Sequence, residues 1–280
     1  QLRKCRTGRK ATGPPIFASF HKAGVMASGQ MAKVFNVTHD FYWMGNRQYA
    51  DAAVVVFTRN PFDMLLSGYE YHKRCSEAIY EKDIPPIDEF LSTGKFPRDG
   101  HAVLKAVLMA PTLFPFVDKL NTGESYCDYL QRLPFMHGLA VEMLRMTMFP
   151  MKSMLSAVRC TDDRTIRVCL KEVVKDPSCA VKKVLAHLAR HQPQWAARLA
   201  DSGPAPYIAS FEKETHSQRA QQHKSSYARR KTGYDLKAAH AVMRTYDKQY
   251  FNSTFAVLEA AEGCAQDFDV ISWLQEDYRS

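Results

Sequence analysis

Phosphate binding is the chemistry that the residues near position 22 suit best. Lys22, Ala23 and Gly24 lie between an apolar run and a helical pattern that opens with small and apolar residues. In such a turn the glycine lets the backbone approach an anion, the first helical N–H groups donate to it, and the Lys22 ammonium adds a positive charge. The Walker spacing G-x-x-x-x-G-K-[ST], with its magnesium ligand, is absent. The alternative interpretation is an ordinary strand–helix turn that carries a surface lysine.

A second segment of the same kind follows the next apolar run. Arg59 ends that run, Asn60 and Pro61 open a helical pattern, and Ser67 lies two turns into the predicted helix. Ligands of open α/β sheets bind at the carboxyl ends of the strands, so an arginine there is well placed to hold an anion. Its guanidinium and the Ser67 hydroxyl could reach one anionic group together. Pairing of Arg59 with a structural carboxylate is the alternative.

These two segments need strands and helices that bring them to one edge of a sheet. Two apolar runs, at 15–20 and 52–58, are continuous, which is typical of strands buried on both faces of a parallel sheet, and residues 165–170 are a third strand candidate. Helical patterns follow at 25–35 and 62–74, and a third begins at Asp176-Pro177, which suits a cap followed by the first helical residue. The order predicts an α/β fold with a central, mostly parallel sheet flanked by helices.

Two longer segments have other compositions. Residues 110–156 are predicted to be a helical insertion, rich in methionine, which forms either plain core or an adaptable apolar acceptor pocket, with core favoured. Residues 201–233 are polar and basic and are predicted to be a loop, either a solvated surface or a cover over a ligand. A helical pattern resumes at Leu236. The whole chain, 1–280, is predicted to be a single domain.

Composition limits the classes of protein. The 280 residues carry a net charge of +9, which indicates an anionic partner without choosing among nucleic acid, membrane and small molecule. Seven cysteines form no C-x-x-C pair, so a zinc site is not expected and free thiols are favoured. The longest apolar run, 102–117, contains Lys105, Pro111 and Pro115, so no membrane span is predicted. A trimmed leader or anchor is compatible with a chain that begins at Gln1.

Taken together, the motifs resemble those of the sulfotransferases that use 3′-phosphoadenosine 5′-phosphosulfate (PAPS). Lys22-Ala23-Gly24 matches the family's 5′-phosphosulfate motif K-x-G, and Arg59-Asn60-Pro61 with Ser67 matches its 3′-phosphate motif. A late basic segment, 229–237, resembles the family's third element, although its first glycine and its tryptophan are missing. Val25 and Met26 stand where the family usually has Thr or Ser, and Ser28 is a candidate replacement for one of those hydroxyls.

The resemblance implies a P-loop-like sulfotransferase fold and a set of site residues. Lys22 would stabilise the departing phosphate and His39 would act as the general base, as in carbohydrate-type members, which have a similarly short interval between the two motifs. Glu142 is a second candidate base, and a turn histidine or a solvated carboxylate is the alternative for each. Tyr227 is the candidate for stacking on the adenine. The implied cofactor-binding residues are Lys22, Ala23, Gly24, Val25, Met26, Ala27, Arg59, Ser67, Tyr227, Arg229, Arg230 and Lys231.

The predicted function is transfer of the sulfuryl group of PAPS to an acceptor hydroxyl without a metal. The acceptor is a carbohydrate by first preference and a small-molecule alcohol by second, and no nucleic-acid or membrane partner is expected. The location would be the Golgi lumen if an anchor has been removed, and otherwise the cytoplasm. The alternatives are a P-loop kinase-like nucleotide-binding protein and a polyanion- or RNA-binding module without catalysis. The residues do not predict the oligomeric state.

Overall fold

The structure is a computed structural model, and it describes residues 11–20, 24–40, 51–75, 98–158, 163–215, 236–252 and 254–262. The strands are β1 Ile16–Ser19, β2 Thr38–Asp40, β3 Val54–Thr58 and β4 Thr165–Cys169. The helices of the first half are α1 Val25–Phe35, α2 Pro61–His72, α3 Arg98–Leu113, α4 Tyr126–Arg132 and α5 Phe135–Met146, followed by a π-helical turn, Thr147–Met151. Those of the second half are α6 Lys152–Val158, α7 Leu170–Lys175, α8 Pro177–His191, α9 Pro193–Ser202, α10 Ala205–Thr215, α11 Leu236–Tyr250 and α12 Thr254–Glu262.

The four strands form one parallel sheet in the order β2-β1-β3-β4. Every residue of β1 and β3, the two central strands, is buried, which is why their sequences are continuously apolar rather than alternating. Ser19 pairs with Phe57, so β1 and β3 end at nearly the same level. The coarse prediction of an α/β fold with a parallel sheet flanked by helices is confirmed.

The chain divides into two compact units. The first contains residues 1–60, 153–236 and 257–280, and the second contains residues 61–152 and 237–256. The first unit holds the sheet, whose core includes a row of aromatic rings: Phe35 lies 5.5 Å from Phe17, 5.5 Å from Trp195 and 5.2 Å from Tyr207 between ring centroids. Such a row joins β1, α1, α9 and α10 into one apolar layer.

Local signals explain where the helices begin and end. Asn36 takes the left-handed conformation (φ 51°) and the amide of Val37 donates to the Ala32 carbonyl at 2.9 Å, which ends α1. The Asp176 side chain accepts from the amide of Cys179 at 2.9 Å and Pro177 is the first residue of α8, as the sequence predicts.

The described part of the segment 201–233 differs from the predicted loop. Residues 205–215 form α10, because Tyr207, Ile208 and Phe211 fall on one face of a helix and pack against the core of the first unit. Most residues of the segment are polar, and for this reason the sequence indicated a loop rather than a helix with an apolar face. Residues 216–235, including most of its basic part, lie outside the described residues.

The second unit is built from helices in the part that the structure describes, and its core contains Met143, Met146 and Met151, fully buried. The prediction of free thiols is wrong for two cysteines: Cys75, after α2, and Cys127, on α4, form a disulfide with 5.3 Å between their Cα atoms. Cys169 and Cys179 carry free thiols, and the other three cysteines lie outside the described residues. None of the described helices combines the length and the apolar character that crossing a membrane requires.

Candidate functional site

The topology of the sheet has a switch point at one place on its carboxyl edge. From β1 the chain leads to β2 on one side, whereas from β3 it leads to β4 on the other side. Where neighbouring strands send their connections in opposite directions, an open α/β sheet leaves a ligand-binding crevice. That point lies between the carboxyl ends of β1 and β3. The two predicted phosphate-binding segments begin there.

Gly24 gives the β1–α1 turn its shape. Its φ is +90°, in the left-handed region, and it caps α1 without any side-chain hydrogen bond. A Cβ at this position would lie 3.0 Å from Cδ1 of Leu170, so space also favours glycine. The first intrahelical bond of α1 runs from the amide of Ser28 to the Gly24 carbonyl at 2.9 Å. The amides of residues 25–27 therefore precede the helical hydrogen-bond ladder and are available to an anion.

Arg59 follows β3 directly and is buried. A buried guanidinium requires hydrogen-bond acceptors, because desolvating a charge without them is costly. Its position at the end of β3 and that of Gly24 after β1 lie at the same edge of the sheet, in the first unit. The structure thus brings together one member of each predicted phosphate-binding segment.

Ser67 belongs to the second unit. It lies in the second turn of α2 and is buried, with Pro61 as the first residue of that helix. Because α2 starts two residues after Arg59, the predicted 3′-phosphate motif runs from the sheet into a helix of the other unit.

His39 lies on β2, with its ring directed toward two serines of the first unit. Its Nε2 is 2.6 Å from Oγ of Ser28 and 3.0 Å from Oγ of Ser19, and both serines are fully buried. The Ser28 hydroxyl also donates to the Val25 carbonyl at 3.1 Å. Both contacts of the Ser28 hydroxyl are hydrogen bonds when Nε2–H of His39 donates to Oγ of Ser28 and the Ser28 hydroxyl donates to the Val25 carbonyl. The Ser28 hydroxyl is therefore engaged within the protein.

The electrostatic setting of His39 favours its neutral form. Burial lowers the pKa of His39, and the neighbouring Asp40 carboxylate opposes that effect without overcoming it. A neutral imidazole at neutral pH can accept a proton, which a general base must do. In this arrangement the lone pair of the ring lies on Nδ1, which is near Gly29 of α1. A Cβ built on Gly29 would lie 3.7 Å from this nitrogen.

Of the other predicted site residues, six lie outside the described residues and three lie on α1. Lys22 and Ala23 lie outside the described residues, as do Tyr227, Arg229, Arg230 and Lys231. Val25, Met26 and Ala27 form the first turn of α1 and are half-buried.

Glu142, the second candidate base, lies in a charged cluster buried within the second unit. Its carboxylate accepts from Nδ1 of His72 at 3.1 Å, the Tyr126 hydroxyl at 2.8 Å, and Nε and Nη2 of Arg145 at 3.0 and 2.7 Å. All four side chains are fully buried. A Cβ at Gly68 would overlap Oε1 of Glu142, so glycine is required where α2 passes this carboxylate. The solvated interpretation of Glu142 is wrong.

The buried cluster keeps Glu142 ionised. Burial alone would raise the pKa of Glu142, but the charges of Arg145 and His72 and their hydrogen bonds outweigh it and lower the pKa to about 2. A carboxylate with this pKa, with both oxygens occupied, is a weak base. The i,i+3 spacing to Arg145 is visible in the sequence, whereas the contact with His72 joins distant positions and has no local signal.

Cys75, Cys127 and Asp128 are close enough together to suggest a metal site. Both sulfurs are joined in the disulfide and are not thiolates, so the group lacks the ligands that a metal would need.

The geometry of the first unit suits an anion that is held by backbone amides at one end and a guanidinium at the other. Those groups bind and orient phosphate-like ligands, and His39 adds a titratable group one strand away. No family model, curated protein or solved structure matches the chain.

Proposed function

We propose that the chain is a PAPS-dependent sulfotransferase, with a P-loop-like sulfotransferase arrangement of its sheet and first helix. One observation carries the proposal: Gly24, in the left-handed conformation, and the buried Arg59 follow the two neighbouring strands that flank the switch point of the sheet. These residues belong to two separate motifs that resemble the family's 5′-phosphosulfate and 3′-phosphate motifs. A ligand with an anionic group at each end would use both.

The described residues fit such a ligand at both ends. A Cβ at Gly24 would lie 3.0 Å from a methyl group of Leu170, and the amides of residues 25–27 precede the helical hydrogen-bond ladder, as an anion bound by backbone donors requires. Arg59 supplies a planar, permanently charged fork, which binds phosphate oxygens in pairs. In the proposal Ser67, Arg229, Arg230 and Lys231 complete the 3′-phosphate site and Tyr227 stacks on the adenine.

The 5′ end of the proposed site depends on backbone donors. Val25 and Met26 have no hydroxyl where the family has one, and the Ser28 hydroxyl is held by His39 and the Val25 carbonyl. The amides and the Lys22 ammonium must therefore neutralise the phosphosulfate. This departure predicts that binding is more sensitive to the backbone conformation at Gly24 than to hydroxyl-removing changes in α1.

PAPS would supply an activated sulfuryl group, attached to a phosphate that is a good leaving group. In transfer, the acceptor oxygen forms a bond to sulfur while the bond from sulfur to the bridging phosphate oxygen breaks. The acceptor proton would pass to His39, and Lys22 would stabilise the charge that develops on the bridging oxygen. The products are the sulfated acceptor and 3′-phosphoadenosine 5′-phosphate.

The disulfide supports one of the two locations. Cystine bonds form and persist in oxidising compartments and are rare in the cytosol. Cys75–Cys127 therefore favours the lumenal alternative, and with it a carbohydrate acceptor over a small-molecule alcohol. A screen of labelled PAPS against glycans and simple alcohols would identify the acceptor class.

The binding test uses 3′-phosphoadenosine 5′-phosphate in EDTA, compared with ATP and magnesium. At a hundredfold excess over its dissociation constant the nucleotide should stabilise the protein by about 2.7 kcal/mol. For a chain of this size, that corresponds to a rise in melting temperature of roughly 5–10 °C. Stabilisation by ATP with magnesium, and none by the bisphosphate, would favour a kinase-like protein and contradict the proposal.

Arg59→Lys and Arg59→Ala test the 3′ end. Loss of the charged hydrogen bonds of Arg59 should weaken nucleotide binding by about tenfold to a hundredfold. The lysine variant keeps the buried charge and should fold even if the alanine variant does not. Arg190→Ala, an exposed arginine on α8, is the control and should bind normally. Equal affinities for the Arg59 and Arg190 variants, or binding that falls steeply with salt in all of them, would indicate a polyanion-binding module.

A further inference from the structure

Ser28 links the start of the first helix to the candidate base. Its amide donates to the Gly24 carbonyl at 2.9 Å, and its hydroxyl donates to the Val25 carbonyl at 3.1 Å. Its Oγ also lies 2.6 Å from Nε2 of His39, and the residue is fully buried. A hydroxyl has one proton to donate. Because that proton goes to the Val25 carbonyl, the Ser28 oxygen accepts from Nε2–H of His39.

The His39 ring is addressed from two elements of the first unit. Ser19, the last residue of β1, places its Oγ 3.0 Å from the same Nε2 that Ser28 contacts from α1. β1 and α1 both pack against β2, which carries His39. The contact with Ser28 is the shorter of the two, and the strength of a hydrogen bond depends on its length and angle. Ser28 is therefore the main partner of Nε2, and Ser19 is the secondary one.

This hydrogen bond persists when His39 gains a second proton. The neutral Nε2–H form and the imidazolium both donate through Nε2, and the bond to Ser28 is stronger for the cation. A general base becomes the cation in the transition state, so a group that holds its other N–H assists the reaction without touching the substrate. Asp40 is the charged neighbour that raises the pKa of the ring, whereas Ser19, Ser28 and Gly29, which face it from β1 and α1, are uncharged.

We propose that Ser28 is a positioning residue for His39, which holds the ring in the Nε2–H tautomer and stabilises the imidazolium formed when His39 takes the acceptor proton. The inference rests on the proposed function, in which His39 is the base. It gives Ser28 a role other than the phosphate contact that its place in the K-x-G motif suggests. In this arrangement the amides of residues 25–27 hold the phosphate end of the donor, and the next residue of the same helix holds the base.

Nitrogen-15 NMR of the histidine side chains in the full chain tests the hydrogen bond without any nucleotide, with the His39 signals assigned by comparison with His39→Ala. We expect the wild-type ring to carry its proton on Nε2 at neutral pH. Ser28→Ala should lower the pKa of His39 further, because the lost hydrogen bond favours the cation. If Ser28 instead donates to Nε2, it stabilises the neutral ring, and Ser28→Ala would raise the pKa of His39. The direction of the change therefore distinguishes the two arrangements.

Turnover and nucleotide binding test the positioning role. Ser28→Ala should lower kcat for sulfuryl transfer about tenfold, because the imidazolium loses a charged hydrogen bond. Affinity for 3′-phosphoadenosine 5′-phosphate should stay within about twofold, whereas a phosphate-binding role of Ser28 would weaken it. The matched control is Ser125→Ala, which removes the hydroxyl of another buried serine, the N-cap of α4 in the second unit. It should leave both kcat and the pKa of His39 unchanged.

Three results would each overturn the proposal: a wild-type His39 with its proton on Nδ1, a His39 pKa that rises or stays the same in Ser28→Ala, or equal kcat in Ser28→Ala and the wild type. The first is read from the wild type and does not require any variant to fold. Failure of the sulfotransferase proposal gives a different pattern. The wild type would then neither bind the bisphosphate nucleotide nor turn over, and the catalytic role of Ser28 would fall with it, while the tautomer and the pKa change of His39 would remain as expected.

Discussion

Replacement of Glu142 by glutamine tests the buried charged cluster of the second unit. The change keeps the shape of the side chain but removes the negative charge that lies 2.7 Å from the fully buried Arg145 guanidinium. A glutamine amide accepts hydrogen bonds through its oxygen only. Its NH2 group therefore cannot accept any of the hydrogen bonds that the Glu142 carboxylate receives from His72, Tyr126 and Arg145. The second unit should therefore become much less stable at neutral pH.

Two routes give the size of the effect. Removing one partner of a buried ion pair typically costs about 3–5 kcal/mol. Independently, a pKa held at about 2 instead of the ordinary 4.5 corresponds to about 3 kcal/mol of stability at neutral pH. Because the folded-state pKa is lowered, this stability is present above about pH 4.5 and is lost as the pH falls toward 2. The difference in stability between the wild type and the Glu142→Gln protein should disappear over the same pH interval.

Hydrogen–deuterium exchange of the full chain can measure this effect locally, in peptides from α2 and α5. A loss of about 3 kcal/mol should speed exchange through unfolding of the unit by about a hundredfold at pH 7. Asp118→Asn is the matched control, because Asp118 is an exposed carboxylate of the same unit that pairs with Arg132 at 3.6 Å. That exposed pair is worth at most about 1 kcal/mol.

The reasoning would be refuted by equal exchange in the Glu142→Gln and Asp118→Asn proteins at pH 7. A difference in exchange between the wild type and Glu142→Gln that does not narrow below pH 4.5 would also refute it, since the effect would then not come from the carboxylate charge. If Glu142→Gln does not fold, the double variant Glu142→Gln/Arg145→Met removes the buried cation as well. It should recover part of the lost stability, because no buried guanidinium then remains beside an uncharged residue 142.

Three further predictions concern the disulfide, the β1–α1 turn and His39. Cys75→Ser/Cys127→Ser should cost about 2–5 kcal/mol in denaturant unfolding, and a reductant should destabilise the wild type but not this variant. Gly24→Ala places a Cβ on a residue in the left-handed conformation, so affinity for the bisphosphate nucleotide should fall about tenfold. The control is Gly123→Ala, which introduces similar strain in the second unit and should leave nucleotide affinity unchanged. His39→Ala should lower sulfuryl transfer at least a hundredfold while nucleotide affinity stays within about twofold, and retained turnover would assign the base to another residue.

Much of the fold was predictable because its signals are local. β1 and β3 are buried on both faces and therefore read as unbroken apolar runs, and α1 lies between two residues with positive φ, Gly24 and Asn36. α10 was not predicted, since its apolar face of Tyr207, Ile208 and Phe211 is short and lies among polar residues.

The parts of the candidate site that were not predictable depend on distant contacts. Cys75 and Cys127 are 52 positions apart, and nothing in their neighbouring residues indicates that they pair. Burial of Glu142 depends on His72, which α2 brings to it across 70 positions. Composition and spacing report what a helix face carries, but not which other helix covers that face.

Helix α2 connects the predicted nucleotide site with the buried cluster. Ser67 lies near the middle of this helix, and its last residue, His72, binds Glu142, with Cys75 of the disulfide three residues later. If the His72–Glu142 contact and the disulfide fix the position of α2, weakening either should lower nucleotide affinity, although none of these four residues belongs to the K-x-G motif or to the Arg59–Ser67 motif. Adding a reductant to the wild type makes this measurable without a substitution. Unchanged nucleotide affinity under reduction, with the disulfide shown by mass to be broken, would mean that α2 is held by its apolar packing alone.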